Sequence, residues 1–228
     1  MAVRLFHLHF LCPDPMLYES LFVEKLGFVR AGRWGYLDGA AESSLLPAEW
    51  TCEEVSARVK DGSLRLRLTE LRRDAVNVVF MPGKEPEARM EHFGFLVDAE
   101  TYAKALQIAK LRECTVSEKA TRTFINTPYG LRIELHVDDT LAELDKEATR
   151  ISRISLGTPH ARDLSSLTAR ILSRPPGETG SWTTTWGECT VTIHPDDDTL
   201  PNWSLGGGGP EPDLSAFPAD FGLTWTPR

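Results

Sequence analysis

Apolar residues along the first 137 positions fall into two alternating rhythms, one of period two and one of helical period. Val3–Cys12 is a short apolar run and predicts a buried strand. Asp14 and Pro15 then open a helix running to about Lys25, since aspartate caps a helix start and proline suits its first turn. Leu17, Leu21, Phe22 and Leu26 form its apolar stripe and Gly27 stops it. Phe28–Leu37 predicts a second strand, Asp38-Gly39 a turn, Pro47–Lys60 an added helix, and Ser63–Thr69 with Ala75–Met81 a hairpin. The order then recurs. Met90–Val97 reads as a strand and Ala99–Arg112, behind Asp98, as a helix. Thr115–Asn126 reads as two short strands with a turn between them. Pro128-Tyr129-Gly130 is a turn and Leu131–Val137 a closing strand. Residues 3–137 thus contain two β-α-β-β-β units, the first enlarged by an insertion.

The remainder is less regular. Residues 138–150 predict a charged connecting helix. A weaker third unit follows: strand Ile151–Thr158, helix Asp163–Ser173, and strands Ser181–Trp186 and Thr190–His194. Pro195–Pro218, with Gly206–Gly209 inside it, reads as a loop and flexible linker, and Phe221–Thr226 as one more strand. The expected division is therefore 1–137, a connector at 138–150, and a divergent unit at 151–228.

Composition narrows the function classes. Hydrophobic residues make up 41% and charged residues 25%, as in ordinary globular proteins. A net charge of −8 argues against nucleic acid or an anionic membrane as partner. No apolar run reaches membrane-spanning length. Cys12, Cys52, Cys114 and Cys189 are scattered without a paired motif, which fits reduced thiols in a cytoplasmic protein.

Chemistry concentrates in three strands. Side chains alternate faces along a strand. His7 and His9 therefore share a face opposite Leu8 and Phe10, and His92 shares one with Gly94 opposite Phe93 and Phe95. Arg132, Glu134 and His136 lie opposite Leu131, Ile133 and Leu135. If the sheet curls, these polar faces line one cavity.

The motifs carrying these residues resemble the vicinal oxygen chelate superfamily, which includes glyoxalases, bleomycin-resistance proteins, fosfomycin-resistance enzymes and extradiol dioxygenases. His7-Leu8-His9-Phe10-Leu11-Cys12-Pro13-Asp14 resembles the opening of the family's module. His92-Phe93-Gly94-Phe95-Leu96-Val97-Asp98 is similar to the opening of its second module. Thr127-Pro128-Tyr129-Gly130-Leu131-Arg132-Ile133-Glu134 resembles the closing strand, with threonine in place of aspartate. The resemblance implies an α+β fold of paired β-α-β-β-β modules, curled as a mixed sheet around a metal cleft, with a weaker third module. It also implies that His7, His92 and Glu134 hold one divalent metal. Relatives with four ligands draw another carboxylate from the end of the first module, where this chain offers only Asn77 as a poor substitute.

Two histidines and one carboxylate with open positions favour Fe(II), with Mn, Ni, Co or Zn as alternatives. The first expectation is a non-haem Fe(II) oxygenase acting on a small oxygen-bearing substrate, aromatic or a keto acid. Extradiol enzymes usually carry a tyrosine where this chain has Phe124, so a redox-neutral lyase, isomerase or epoxide-opening enzyme is the alternative. A metal-free binding protein is the third. His9 and His136 are expected to transfer protons. Trp34, Tyr36 and Arg132 are expected to touch the substrate. A homodimer is compatible with the family pattern.

Overall fold

The computed structural model describes residues 3–74, 76–137, 149–172, 182–186, 189–195, 202–207 and 211–227. Its strands form two mixed sheets. The first unit supplies β1 (Val3–Cys12), α1 (Pro15–Leu26), β2 (Val29–Leu37), the two-residue β3 (Ser44–Leu45), α2 (Cys52–Asp61), β4 (Leu64–Arg73) and β5 (Val76–Pro82). The second supplies β6 (Arg89–Val97), α3 (Ala99–Leu111), β7 (Thr115–Glu118), β8 (Thr123–Asn126) and β9 (Arg132–Val137). Together they make a nine-stranded sheet in the order β3-β2-β4-β5-β1-β6-β9-β8-β7. The units meet where β1 and β6 run antiparallel, and each first strand also pairs in parallel with its own last strand, β5 or β9.

Local chemistry explains the boundaries. The Asp14 carboxylate accepts from the backbone N–H groups of Met16 and Leu17, and Gly27 ends α1 at φ 64°, a conformation that costs glycine little. The Asp98 carboxylate caps α3 through the Thr101 N–H. Pro47–Lys60 is only partly helical. The helix begins after Thr51, whose hydroxyl and Glu54 form a reciprocal capping box, and the residues before it hold β3 and a turn. A buried ion pair fixes this insertion. Glu19 of α1 accepts from Arg33 Nε at 2.8 Å and NH2 at 2.6 Å, and from Thr69 Oγ1 at 2.7 Å. Arg33 also donates to the Trp50 carbonyl at 2.6 Å. Burial alone would raise the Glu19 pKa, but these donors hold it below the ordinary value.

The second sheet, in the order β11-β12-β10-β13-β14, repeats the design in reduced form. It contains β10 (Arg150–Gly157), β11 (Trp182–Trp186), β12 (Cys189–His194), β13 (Asn202–Gly207) and β14 (Leu223–Pro227), with α4 (Ala161–Ile171) against it. The stretch expected to be a loop from Pro195 to Pro218 therefore contains a central strand. Only Trp203, Ser204 and Leu205 alternate there before glycine interrupts the pattern, so the local signal is weak. Hydrogen bonding by β10 on one edge and β14 on the other makes the strand. The connecting helix expected over 138–150 falls mostly outside the described residues, and Arg150 already belongs to β10.

One apolar core joins the two sheets. Phe10 on β1 packs on Trp203 of β13 and on Phe221, with ring centroids 5.4 and 5.0 Å apart, and Phe22 of α1 faces Trp203 at 6.2 Å. Each aromatic pair of this kind adds about 0.5–1.5 kcal/mol beyond the area that it buries. The apolar face of β1 is thus committed to the core, and its other face looks into the cleft of the first sheet.

Candidate metal centre

Two β-bulges aim the cleft. On β1, Val3 and Leu5 are buried in the core, and so are Leu8, Phe10 and Cys12. The parity changes between Leu5 and His7, where the register with β6 slips. The extra residue, Phe6, lines the cavity, and His7, His9 and Leu11 follow it there. On β6 the slip lies opposite His9 and Phe10, with Glu91 as the extra residue directly before His92. A bulge bends its strand and redirects the side chains after it. Both histidines that follow a bulge enter the same cavity of about 660 Å³.

Inside it, His92 Nε2 lies 2.8 Å from Glu134 Oε2, and His7 Nε2 lies 3.6 Å from the same oxygen. His136 Nε2 contacts Glu134 Oε1 at 2.8 Å, and Arg122 NH1 approaches that oxygen at 3.4 Å. Glu134 is 2% exposed, His92 4% and His7 7%, so these groups meet away from bulk water. Nitrogens of His7, His9 and His92 all lie within 4.8 Å of one another. Gly94 gives the imidazoles room: a Cβ there would stand 2.6 Å from His7 Cβ.

The opposite ring nitrogens are anchored. His7 Nδ1 donates to Asn77 Oδ1, and the Asn77 amide donates in turn to Glu70 Oε1 at 2.7 Å. Glu70 also accepts from Arg72 at 2.6 Å. His92 Nδ1 donates to Glu91, which accepts from Arg132 NH1 at 2.8 Å. Fixing Nδ1–H in this way points Nε2 inward and sets the tautomer, as outer partners of metal-binding histidines do.

The charge states follow. Burial lowers the His7 pKa to about 4, more than the nearby Glu134 carboxylate raises it. Burial and the neighbouring imidazoles lower His9 to about 3. Burial would also lower His92, but hydrogen bonds to Glu134 and Glu91 raise it overall. Burial opposes ionisation of Glu134, yet His136, His92 and His7 keep its pKa far below the ordinary range. The hydrogen bond from His92 does the same for Glu91. An ionised carboxylate therefore stands beside the neutral imidazoles of His7 and His9.

These groups fit a divalent metal. A cation bonded to nitrogen and oxygen at about 2.0–2.2 Å holds adjacent donors about 3 Å apart, and the separations of 2.8 and 3.6 Å bracket that value. His9 Nε2 is buried without a hydrogen-bond partner among the described residues, as expected of a nitrogen that suits a metal ligand. Imidazole with carboxylate suits Fe, Mn, Co, Ni or Zn.

The other residues singled out from the sequence divide. His136 and Arg132 line the cavity, although one Arg132 nitrogen is engaged by Glu91 and the guanidinium lies 4.5 Å over Phe124. Trp34 and Tyr36 do not line it. They sit on β2, separated from β1 by β4 and β5; Trp34 lies over Gly32, and Tyr36 packs under Arg65 at 3.8 Å. Asn77, Glu70 and Glu91 were missed as supporting groups. The position of Glu91 directly before His92 was the only trace of its part in the sequence.

No protein-family model matches the chain, and no curated protein does. Solved structures do. A variant of 4-hydroxymandelate synthase from Streptomyces coelicolor superposes with a TM-score of 0.55 and 12% identity, over 92% of this chain and 72% of that one. The Mn(II)-bound glyoxalase from Novosphingobium aromaticivorans gives 0.56 and 12%, over 92% of this chain and 66% of its own. The 2,3-dioxygenase LapB from Pseudomonas sp. KL28 gives 0.56 and 15%, over 91% and 76%. The chain has the vicinal oxygen chelate fold.

Proposed function

We propose that this vicinal oxygen chelate protein is a metal-dependent enzyme, a non-haem Fe(II) oxygenase acting on a small oxygen-bearing substrate, aromatic or a keto acid. The observation that carries the reading is the convergence of His7 Nε2 and His92 Nε2 on one Glu134 oxygen within a cavity. His7, His92 and Glu134 would hold the metal. When bound, Fe(II) supplies electrons for oxygen chemistry and open positions for substrate oxygens.

The chain's own groups divide the remaining work. Asn77 and Glu91 keep both imidazoles turned inward. Because Glu134 is ionised, His136 Nε2–H donates to it, which leaves a lone pair on Nδ1 to take a proton from substrate. Phe6, Leu11, Met81 and Phe124 offer an apolar wall to an aromatic body. Arg67 lines the same cavity, and its hydrogen bond to the Ser43 hydroxyl leaves its charge available to a carboxylate. A cytoplasmic setting is consistent with the free cysteines, and no described helix is long and apolar enough to cross a membrane.

A redox-neutral lyase, isomerase or epoxide-opening reaction is the second reading. It is favoured by Phe124, whose ring meets His92 edge-on at 5.6 Å and brings no hydroxyl to the site. The solved structures of this fold include both an oxygenase and a Mn(II)-bound glyoxalase. Oxygen consumption by the Fe(II)-reconstituted protein across catechols and keto acids tests the choice, with Glu134→Ala as control. Substrate-dependent uptake lost in the variant supports the oxygenase. Turnover without uptake selects the second reading.

A further inference from the structure

We propose that His9 is a fourth protein ligand, so that the metal is held by three imidazoles and one carboxylate. This rests on the metalloenzyme reading above and goes beyond its three-ligand form.

The pairing at the centre of the first sheet relates the two units position by position. On the antiparallel β1–β6 pair, His7 faces Gly94 and His9 faces His92. These two pairs exchange under a local twofold axis between the strands, which equates His7 with His92 and His9 with Gly94. The bulge residues Phe6 and Glu91 obey the same relation. Following the register one strand outward on each side equates two further positions. Gly94 pairs with Glu134 on β9, and His9 pairs with Val79 on β5. Val79, not Asn77, therefore occupies the place in the first unit that the ligand Glu134 holds in the second. Asn77 pairs with His7 and is engaged in holding it.

The first unit thus has an isopropyl group where its twin has a carboxylate. It also has an imidazole where its twin has glycine. His9 occupies the strand position adjacent to the missing carboxylate and faces the same cavity. Its ring centroid lies 4.5 Å from that of His92 and 5.9 Å from that of His7. Its Nε2 is buried and makes no hydrogen bond among the described residues, while the other two imidazoles are held from behind. An unpartnered ring nitrogen beside His7 and His92 gains most from a cation. Proton transfer, the role expected of His9 from its position, then falls to His136.

A fourth protein donor would leave the metal fewer open positions for substrate oxygens.

The test uses metal-stripped, untagged protein. Cobalt(II) titrations give affinity, and pulsed EPR of the copper(II)-loaded protein counts coordinated imidazoles. Wild type is compared with His9→Ala, with His9→Phe, which keeps a ring without nitrogen, and with His9→Phe combined with Val79→Glu. Thermal unfolding without metal shows that each variant is folded. The expected result is three imidazoles in wild type and two in the His9 variants. Affinity should fall at least about 10-fold and be regained in part when Glu is placed at position 79. Two imidazoles in wild type, with unchanged affinity in both His9 variants, would overturn the assignment and leave the three-ligand centre standing. Wild type that binds neither metal would overturn the metalloenzyme reading and this inference with it.

Discussion

The two sheets share one lattice and fill it with different chemistry. In the first, the central strands pair His7 with Gly94 and His9 with His92, and Gly94 pairs onward with Glu134. In the second, β10 and β13 pair Arg153 with Ser204 and Ser155 with Asn202, and Ser204 pairs onward with Thr224. Even the slip before the key residue is kept, between Ile151 and Arg153. Register equates His7, His9, His92 and Glu134 with Arg153, Ser155, Asn202 and Thr224. The second set offers no imidazole or carboxylate. Where the first sheet leaves space at Gly94, the second places Ser204, buried and 2.5 Å from the Thr224 hydroxyl. The backbone therefore provides places for ligands, and residue identity decides whether they are used.

Exchanging matched positions tests this contrast. Glu134→Ala should weaken metal binding by more than about 100-fold, because it removes a donor and the carboxylate that stands 2.8 Å from both His92 and His136. Thr224→Ala should leave metal binding unchanged, and calorimetric titration of the pair measures both. Gly94→Ser makes the first sheet resemble the second. With a Cβ 2.6 Å from that of His7, it should displace the imidazole and lower affinity by about 10–100-fold, whereas Ser204→Gly should not. Asn77→Ala frees His7 Nδ1 and should cost about 10-fold in metal affinity, against no change for Thr190→Ala at the matched position.

The smallest effect is one of pH. His7 and His9 titrate near 4 and 3 in the fold, against 6.5 for a free imidazole. Between those values the unfolded chain binds protons that the folded chain refuses, so stability falls as pH drops below 6.5. His92, with its raised pKa, works partly against this. A net loss of about 1–2 kcal/mol between pH 7 and 5 is expected for the metal-free protein. Denaturant midpoints across that range check it. The loss should be smaller in His9→Phe.

Much of the first sheet was legible in the sequence because its strands alternate cleanly and its helices carry strong signals. Asp14-Pro15, Asp98 and Gly27 each mark a helix end through one local interaction. The convergence of His7, His92 and Glu134 could be expected from face alternation and module order. The supports could not. That Asn77 holds His7 depends on the parallel register of β1 with β5, and that Glu91 holds His92 depends on a bulge. Trp34 and Tyr36 had suitable chemistry, but the strand order moved them away from the cleft. β13 was hidden because its glycines and the prolines near it locally resemble a linker, and only its two neighbours make it a strand.

The slips at Phe6 and Glu91 act like a shift of reading frame written in three dimensions. Removing either residue would leave every histidine in the chain and hardly change its composition. It would nevertheless turn the strand after it by one place, sending leucine or phenylalanine to the cavity and imidazole to the core. In this architecture a single inserted residue in each central strand separates a packed interior from a potential metal centre. Gain or loss of one codon in either strand thus exchanges its two faces in a single step.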